Sequence, residues 1–507
     1  MMNTKRNTAS VMAVMLGASA LLAACGGGSP APGGSSSTAK TPASPVKIEA
    51  IRNGAALPAP DADPIKKELD KALGIDLNLS VYTTSADYTN QINVRMASGN
   101  VPDLIWVSKD LLNSFASKNL LLDLTPYYEK ELKQTKDWLG PETMRLGLAY
   151  GKNYGIPNPN QFVYSTYWIR KDWLDQLGLK MPGTPEELLN VMKAFTEKDP
   201  DGNGKKDTYG LTGVGFNTFA PVLGAYGVGL PHDFYIRDNK LLNSFTDPNM
   251  KDALAFIKKL VDSGGVDREL FSNSGAPVIQ QKAYQGQAGI VQINWSDFAK
   301  DEHIEKIKAA NPKAQWVQVP ALKGPGGQFD GSWQIGTTNQ MFAIPKGVEK
   351  NPEKLKKVFD LINYVSSKDG SMLVQYGVKG VHYNLDNGKV VKTDKLNDIG
   401  YVWDYQFTGR PDEFEYLRVR FPSSEKAIEF AKNQPRIQAL NGFVDFPTGY
   451  NHADASRYTQ EELVKFIYGK RPLEEYDAFV KALMDNFKYK SYMDEAQKTI
   501  TGLGLLK

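Results

Sequence analysis

Along 46–51 apolar and polar residues alternate with a period of two, which predicts a strand, and 76–82 alternates in the same way. Between them 64–73 carries a helical period. A second helix over 88–97 places Ile92 and Met96 on one face, and Ser98-Gly99-Asn100 stops it. The apolar run 103–107 reads as a buried strand. Strand, helix, strand, helix, strand predicts a parallel sheet with helices on both faces. Ligands of such sheets sit beyond the carboxyl ends of the strands, here near Arg52 and Asn53, Tyr82 and Thr83, and Trp106 to Ser108.

A second series starts with a strand at 164–169 and continues with helices over 172–177, 185–198 and 250–263. The run 289–293 reads as a buried strand returning to the first sheet. Beyond it, 341–345 is strand-like, and 352–366 is a helix with Leu355, Val358, Phe359 and Ile362 on one face. The chain is thus expected to cross between two lobes more than once, and no internal repeat of fixed period is visible.

The amino terminus changes the picture. Lys5 and Arg6 precede an apolar run from Val11 to Leu22 and then Leu22-Ala23-Ala24-Cys25, the order of a secretory signal. About a dozen apolar residues are too few to span a bilayer. Cys25, the only cysteine of 507 residues, stands where a lipobox places its modified thiol, so the expectation is a signal peptide over 1–24 and a diacylglycerol anchor, with palmitate-type acyl chains, on Cys25. One cysteine also excludes an intramolecular disulfide. The stretch 26–45 is almost wholly Gly, Ser, Pro, Ala and Thr, which cannot bury enough apolar surface to order itself and reads as a tether.

The chain is 41% hydrophobic, with 60 Lys and Arg against 57 Asp and Glu. Such a composition supports two packed domains. Neither a basic surplus nor a zinc-finger or RNA-recognition signature argues for nucleic acid.

Four stretches, in order, carry a family resemblance: Gly99-Asn-Val-Pro-Asp-Leu-Ile105, Tyr154-Gly-Ile-Pro157 followed by Tyr167-Trp-Ile-Arg-Lys-Asp-Trp-Leu174, Gln287-Ala-Gly-Ile290 running to Trp295, and Tyr376-Gly-Val-Lys-Gly380. The chain resembles the extracellular solute-binding proteins of bacterial carbohydrate ABC importers. The resemblance is nearest to those for acidic or plant-derived oligosaccharides, alginate-binding proteins among them. It implies an α/β, two-lobed periplasmic-binding-protein-like fold, each lobe a mostly parallel sheet flanked by helices, with a hinge between them. The expected partition is 46–158 plus 288–338 for the first lobe and 159–287 plus 339–507 for the second. It further implies an extracytoplasmic, lipid-anchored monomer that captures a carbohydrate and docks on permease subunits.

The sharpest local motif is Asp199-Pro-Asp201-Gly-Asn203-Gly204-Lys205-Lys-Asp207. Oxygen-bearing side chains fall at positions 1, 3, 5 and 9 of an EF-hand-type loop, glycine at 6, and Lys205 supplies the position-7 carbonyl. Gly210 stands where the bidentate glutamate belongs, so Thr208 or water is expected to assist a structural Ca²⁺. The alternative is a polar turn that binds nothing. The resembled alginate-binding proteins hold calcium in a corresponding loop.

Aromatic residues are 11% of the chain. Sugar C–H faces stack on rings while their hydroxyls bond neighbouring polar groups. Tyr82, Trp106, Tyr167, Trp168, Trp295, Trp333, Tyr383 and Trp403, beside turn-forming or polar residues or at strand ends, are the candidate ligand residues, each with core packing as its alternative.

For catalysis the signals are negative: no Gly-x-Ser-x-Gly elbow, phosphate loop, Rossmann fingerprint or His-Glu-x-x-His is present. The four histidines, His232, His303, His382 and His452, lack metal-ligand spacing. The expectation is a binding protein, not an enzyme. A surface lipoprotein glycoside hydrolase, whose two carboxylates would be a purely spatial feature, and an adhesion module are the alternatives.

Overall fold

The computed structural model describes residues 44–159, 161–338 and 340–506, so the expected signal, Cys25 and most of the tether that follows it lie outside the described residues. Strand Val46–Asn53 pairs in parallel with Ile75–Tyr82 on one side and Leu104–Trp106 on the other. The helix between the first two, Pro64–Leu73, starts where the Asp63 carboxylate accepts from the N–H groups of Ile65 and Lys66, and stops at Gly74 in the left-handed region. Asp63 is itself fixed by the hydroxyl of Tyr405, which donates to it at 2.6 Å. The late part of the chain is thereby tied to this helix start.

The first sheet has the order Ile75–Tyr82, Val46–Asn53, Leu104–Trp106, Met341–Ala343, Gly155–Pro157. Met341–Ala343 runs antiparallel to both neighbours. The second sheet has the order Trp316–Gln318, Ser165–Arg170, Ala288–Asn294, Tyr209–Thr212, with Ser165–Arg170 antiparallel to both of its neighbours and Ala288–Asn294 parallel to Tyr209–Thr212. The α/β, two-sheet architecture agrees with expectation. Each sheet is mostly parallel in strand direction, with one strand running against the rest.

Two segments exchange sheets relative to expectation. Ala288–Asn294 pairs with Ser165–Arg170 and Tyr209–Thr212 in the second sheet and does not return to the first. Met341–Ala343 takes the place in the first sheet, and the helix Pro352–Val365 packs on Val46–Asn53. A strand buried on both faces carries the same apolar run in either sheet, so the pattern does not name its partner. Packing does. A Cβ on Gly289 would lie 2.1 Å from the ring of Phe195, so the bare glycine lets the helix Pro185–Glu197 seat against this strand.

Within Ser165–Arg170 the side chains divide by alternation: Tyr167 and Ile169 enter one core with Phe195 and Leu254, Trp168 the other with Phe298 and Trp295. The carboxyl-terminal helices His452–Ile467, Tyr476–Asn486 and Tyr489–Gly502 bury Leu463, Phe466, Phe479, Tyr492 and Ile500 in the core of the second sheet. Among the described residues no helix is long and apolar enough to cross a membrane.

Candidate ligand cleft between the two sheets

Past the end of strand Leu104–Trp106 the chain turns into the helix Lys109–Ser117, capped by the Ser108 hydroxyl, which accepts from the N–H of Leu111. Trp106, Ser108, Lys109, Asp110 and Asn113 form one wall of a cavity of about 420 Å³. Its opposite wall belongs to the second lobe: His232, Asp233, Gln334, Asn441, His452 and Tyr492. A neighbouring cavity of about 260 Å³ is lined by Ser165, Asn217, Asn294, Asp297, Asp330, Ser332 and Arg436. A hydrogen bond links their linings: the Ser332 hydroxyl of the second donates to the Asp233 carboxylate of the first. Together they have the size and polar lining of a small-molecule site.

The buried polar groups of the cleft are mostly partnered. Asp233 also accepts from the Leu230 N–H at 2.8 Å and the Gln334 amide at 2.9 Å, yet burial still pushes its carboxyl up to about 7. Asp330 is pushed up by burial to about 6 against the pull of Arg436, whose own pKa burial lowers. Burial brings Lys109 down to about 8, opposed by Asp445 and Asp110, and its ammonium donates to the Leu148 carbonyl. His232 falls to about 3 through burial and the neighbouring His452. Its ring nitrogens meet Thr459 Oγ1 at 2.8 Å and Tyr489 Oη at 3.2 Å. Asn113 is the exception: only 1% exposed, it has no hydrogen-bond partner on either amide atom.

Of the eight aromatic candidates, three stand together at the carboxyl ends of the first sheet's strands. Tyr82 and Trp106 are half-buried and joined through Tyr88, at ring distances of 6.0 and 5.4 Å. The ring of Trp403, also half-buried, lies 4.7 Å from the guanidinium of Arg52, which is itself paired with Asp404 at 3.0 Å. Four others are packing residues, which corrects the expectation that they line a cleft. Trp295 is 1% exposed, with Tyr164 and Phe421 against its ring. Trp168 packs on Phe298, Tyr383 on Tyr376, and the Tyr167 hydroxyl donates to the buried Thr218 carbonyl. Trp333 sits between Ser332 and Gln334 on one strand, so alternation points it away from the face on which both of those bond Asp233. Asn113, Asp233, Asp330, Ser332 and Arg436 went unnoticed in the sequence, where each is a lone polar residue without a motif.

The loop 199–207 keeps the expected turn geometry. Gly204 has φ +78, the left-handed conformation position 6 requires. Asp199 accepts from the N–H groups of Asn203 and Gly204, and the Asn203 side-chain nitrogen lies 2.9 Å from Asp201 Oδ2 and 3.2 Å from Asp207 Oδ1. Asp201 is raised by burial and by its contact with Asp199. Among the described residues no group of three or more His, Cys, Asp or Glu is arranged to hold a metal ion. Position 12 cannot carry a glutamate, because a Cβ on Gly210 would lie 2.5 Å from Met192 Cβ. Thr208, expected to assist, instead donates its hydroxyl to the Phe195 carbonyl at 2.7 Å, at the end of the preceding helix.

Two α/β lobes with a polar cavity between them define a binding protein of the periplasmic type, and the chain belongs to the bacterial extracellular solute-binding protein family, whose sequence model matches residues 54–372. It is 30% identical to the lipoprotein LipO of Bacillus subtilis over 74% of this chain and 73% of that one. It is 30% identical to the polygalacturonan/rhamnogalacturonan-binding protein YtcQ of the same organism, over 65% of each. To the fructooligosaccharide ABC transporter substrate-binding protein FusA of Streptococcus pneumoniae it is 29% identical, over 70% of this chain and 69% of the other. Among solved structures, the alginate-binding protein AlgQ2 without calcium ion shares the fold at a TM-score of 0.72, with 20% identity, over 90% of this chain and 98% of that one. An EF-hand mutant of FusA with fructo-nystose gives 0.70 at 20% identity, over 91% and 100%.

Proposed function

We propose that the protein is the extracytoplasmic receptor of a carbohydrate ABC importer: it captures an oligosaccharide between its lobes and delivers it, as a monomer tethered through Cys25, to the permease without chemical change. The observation that carries the reading is the polar cleft walled by Trp106 and Asn113 from one lobe and by Asp233 and Asn441 from the other. Only a ligand touching both walls favours the closed arrangement over the open one. Kinship with FusA and YtcQ, named for their saccharides, supports a carbohydrate.

The loop 199–207 is the second element of the proposal. Asp199, Asp201, Asn203, the Lys205 carbonyl and Asp207 would hold Ca²⁺ once the Asn203 amide turns its oxygen toward the carboxylates; the EF-hand of FusA supports this. Bound there, the ion would supply charge neutralisation between carboxylates and no catalysis.

A thermal-shift screen against a panel of oligosaccharides, paired with an assay for new reducing ends, tests the function. Ligand-dependent stabilisation without product is the expected result, since binding to the native state raises the melting temperature. Release of reducing ends, or no response to any saccharide, overturns it.

A further inference from the structure

Resting on the carbohydrate reading above, we infer that the cleft is built for an uncharged saccharide, with Asn113 as a hydroxyl-binding residue, and that it rejects uronate-bearing ones. Asn113 carries the argument. Asn113 lines the cavity, its amide oxygen and nitrogen both buried and unpartnered, and a group left so in a native interior calls for an explanation. An amide presents one acceptor and two donors, and a sugar hydroxyl both donates and accepts, so the two satisfy each other without charge.

The charges around it point the same way. A carboxylate ligand is best held by a cation with donors to spare, most often a bidentate arginine. The cleft's cations are engaged: Arg436 Nη2 stands 2.9 Å from Asp330 Oδ2 and donates also to the Ser165 carbonyl, and Nη1 donates to the Asp330 carbonyl. Lys109 donates to Leu148 and faces Asp110 and Asp445. Further carboxylates line the same space: Asp110 and Asp233 in one cavity, Asp297 in the other. A uronate entering here meets carboxyl groups and satisfied cations, whereas neutral hydroxyls find carboxyl acceptors and the amides of Asn113 and Asn217.

Calorimetric titration of the full mature chain tests this with uncharged trisaccharides of glucose, fructose, mannose, galactose and xylose, with trigalacturonate and trimannuronate, and with the methyl ester of trigalacturonate. At least one uncharged sugar is expected to bind, both uronates at least tenfold more weakly, and the bound sugar's affinity to change by less than about twofold between about 50 mM and about 500 mM salt, where screening would weaken a charge-based contact. Asn113→Leu is expected to weaken binding at least tenfold while the melting temperature holds or rises, because it removes an unpaired buried amide. A uronate bound as tightly as the best neutral sugar, or an Asn113→Leu protein that binds like the parent, overturns the inference and leaves the carbohydrate reading standing. Silence toward every saccharide, charged or not, overturns the carbohydrate reading and this inference with it.

Discussion

Arg436, just before the strand Ile437–Ala439 that pairs with Ser332–Gln334, places its guanidinium 2.9 Å from the Asp330 carboxylate, the side chains 8% and 2% exposed. Breaking such a pair from one side strands a charge in the interior, which costs about 3 kcal/mol or more, whereas replacing both partners is far milder. Urea denaturation of Arg436→Met is expected to show that loss, and of Asp330→Leu/Arg436→Met to recover most of it. A single variant as stable as the parent would show that the pair is not a structural brace of the cleft.

Asp233 gives the cleft a pH dependence whose sign follows from its raised carboxyl. The folded protein holds this proton to about 7, far above the ordinary value of 3.8. Stability contributed by the protonated form is therefore complete below about 4 and is lost as pH rises through about 7. Asp233→Asn, which cannot ionise, is expected to melt at or near the parent's temperature at pH 4 and about 2 °C or more above it at pH 8. Parallel melting curves for the two proteins across that range would contradict the shift.

Much of this was legible in the chain. The alternation at 46–51 and the compact run at 103–107 specify strands, because one period matches one buried face or two. The carboxyl ends of these strands led to Trp106, which lines the cavity, and to Tyr82, one ring removed from it through Tyr88. Trp295 misled because Asn294 precedes it: neighbours at a strand end point to opposite sides, and here the asparagine lines the cavity while the indole enters the core. Asn113 and Asp233 had no signal at all. Their chemistry depends on which partners the fold brings within 3 Å, and neither spacing nor composition encodes that.

Trp106 and Trp295 are accordingly expected to separate in experiment. Trp106→Ala removes the aromatic wall of the cleft and should cost about 2 kcal/mol of binding to the saccharide found in the screen, as an interface anchor does. Trp295→Ala opens a core cavity and should lower unfolding stability by about 3–5 kcal/mol. Trp333→Ala, facing away from the Asp233 side of its strand, should bind within about threefold of the parent, a difference of about 0.6 kcal/mol. Isothermal titration and urea unfolding on all three variants provide the check; equal binding by Trp106→Ala and the parent removes Trp106 from the site.

The anchor proposed at Cys25 makes a cell-level prediction. Acyl chains on that sulfur would carry the mature protein into the membrane fraction, and Cys25→Ser is expected to move it to the soluble fraction or culture medium. A variant that sediments with membranes as fully as the parent would assign the attachment to something other than this thiol.

The calcium loop offers the last test, and the geometry sets its terms. With Asn203 directing its nitrogen at Asp201 and Asp207, the amide stands among the carboxylates that a cation would draw together, and turning it end for end supplies the fifth-position oxygen. Gly210 is barred from carrying the usual glutamate by Met192, so the site would lack its bidentate ligand and bind more weakly than a complete loop, in which charge count tunes affinity. Ca²⁺ at about 100 times its dissociation constant stabilises the native state by about 2.7 kcal/mol. Added Ca²⁺ is therefore expected to raise the melting temperature of the chelator-treated protein by about 2 °C or more, and Asp199→Asn/Asp201→Asn to abolish the rise. Mg²⁺ at the same concentration is expected to do less, since it demands a tight octahedron that a loop without its last carboxylate does not offer. A parent protein whose melting ignores chelator and Ca²⁺ alike would leave 199–207 as a polar turn held by the hydrogen bonds from Asn203 and Gly204 to Asp199.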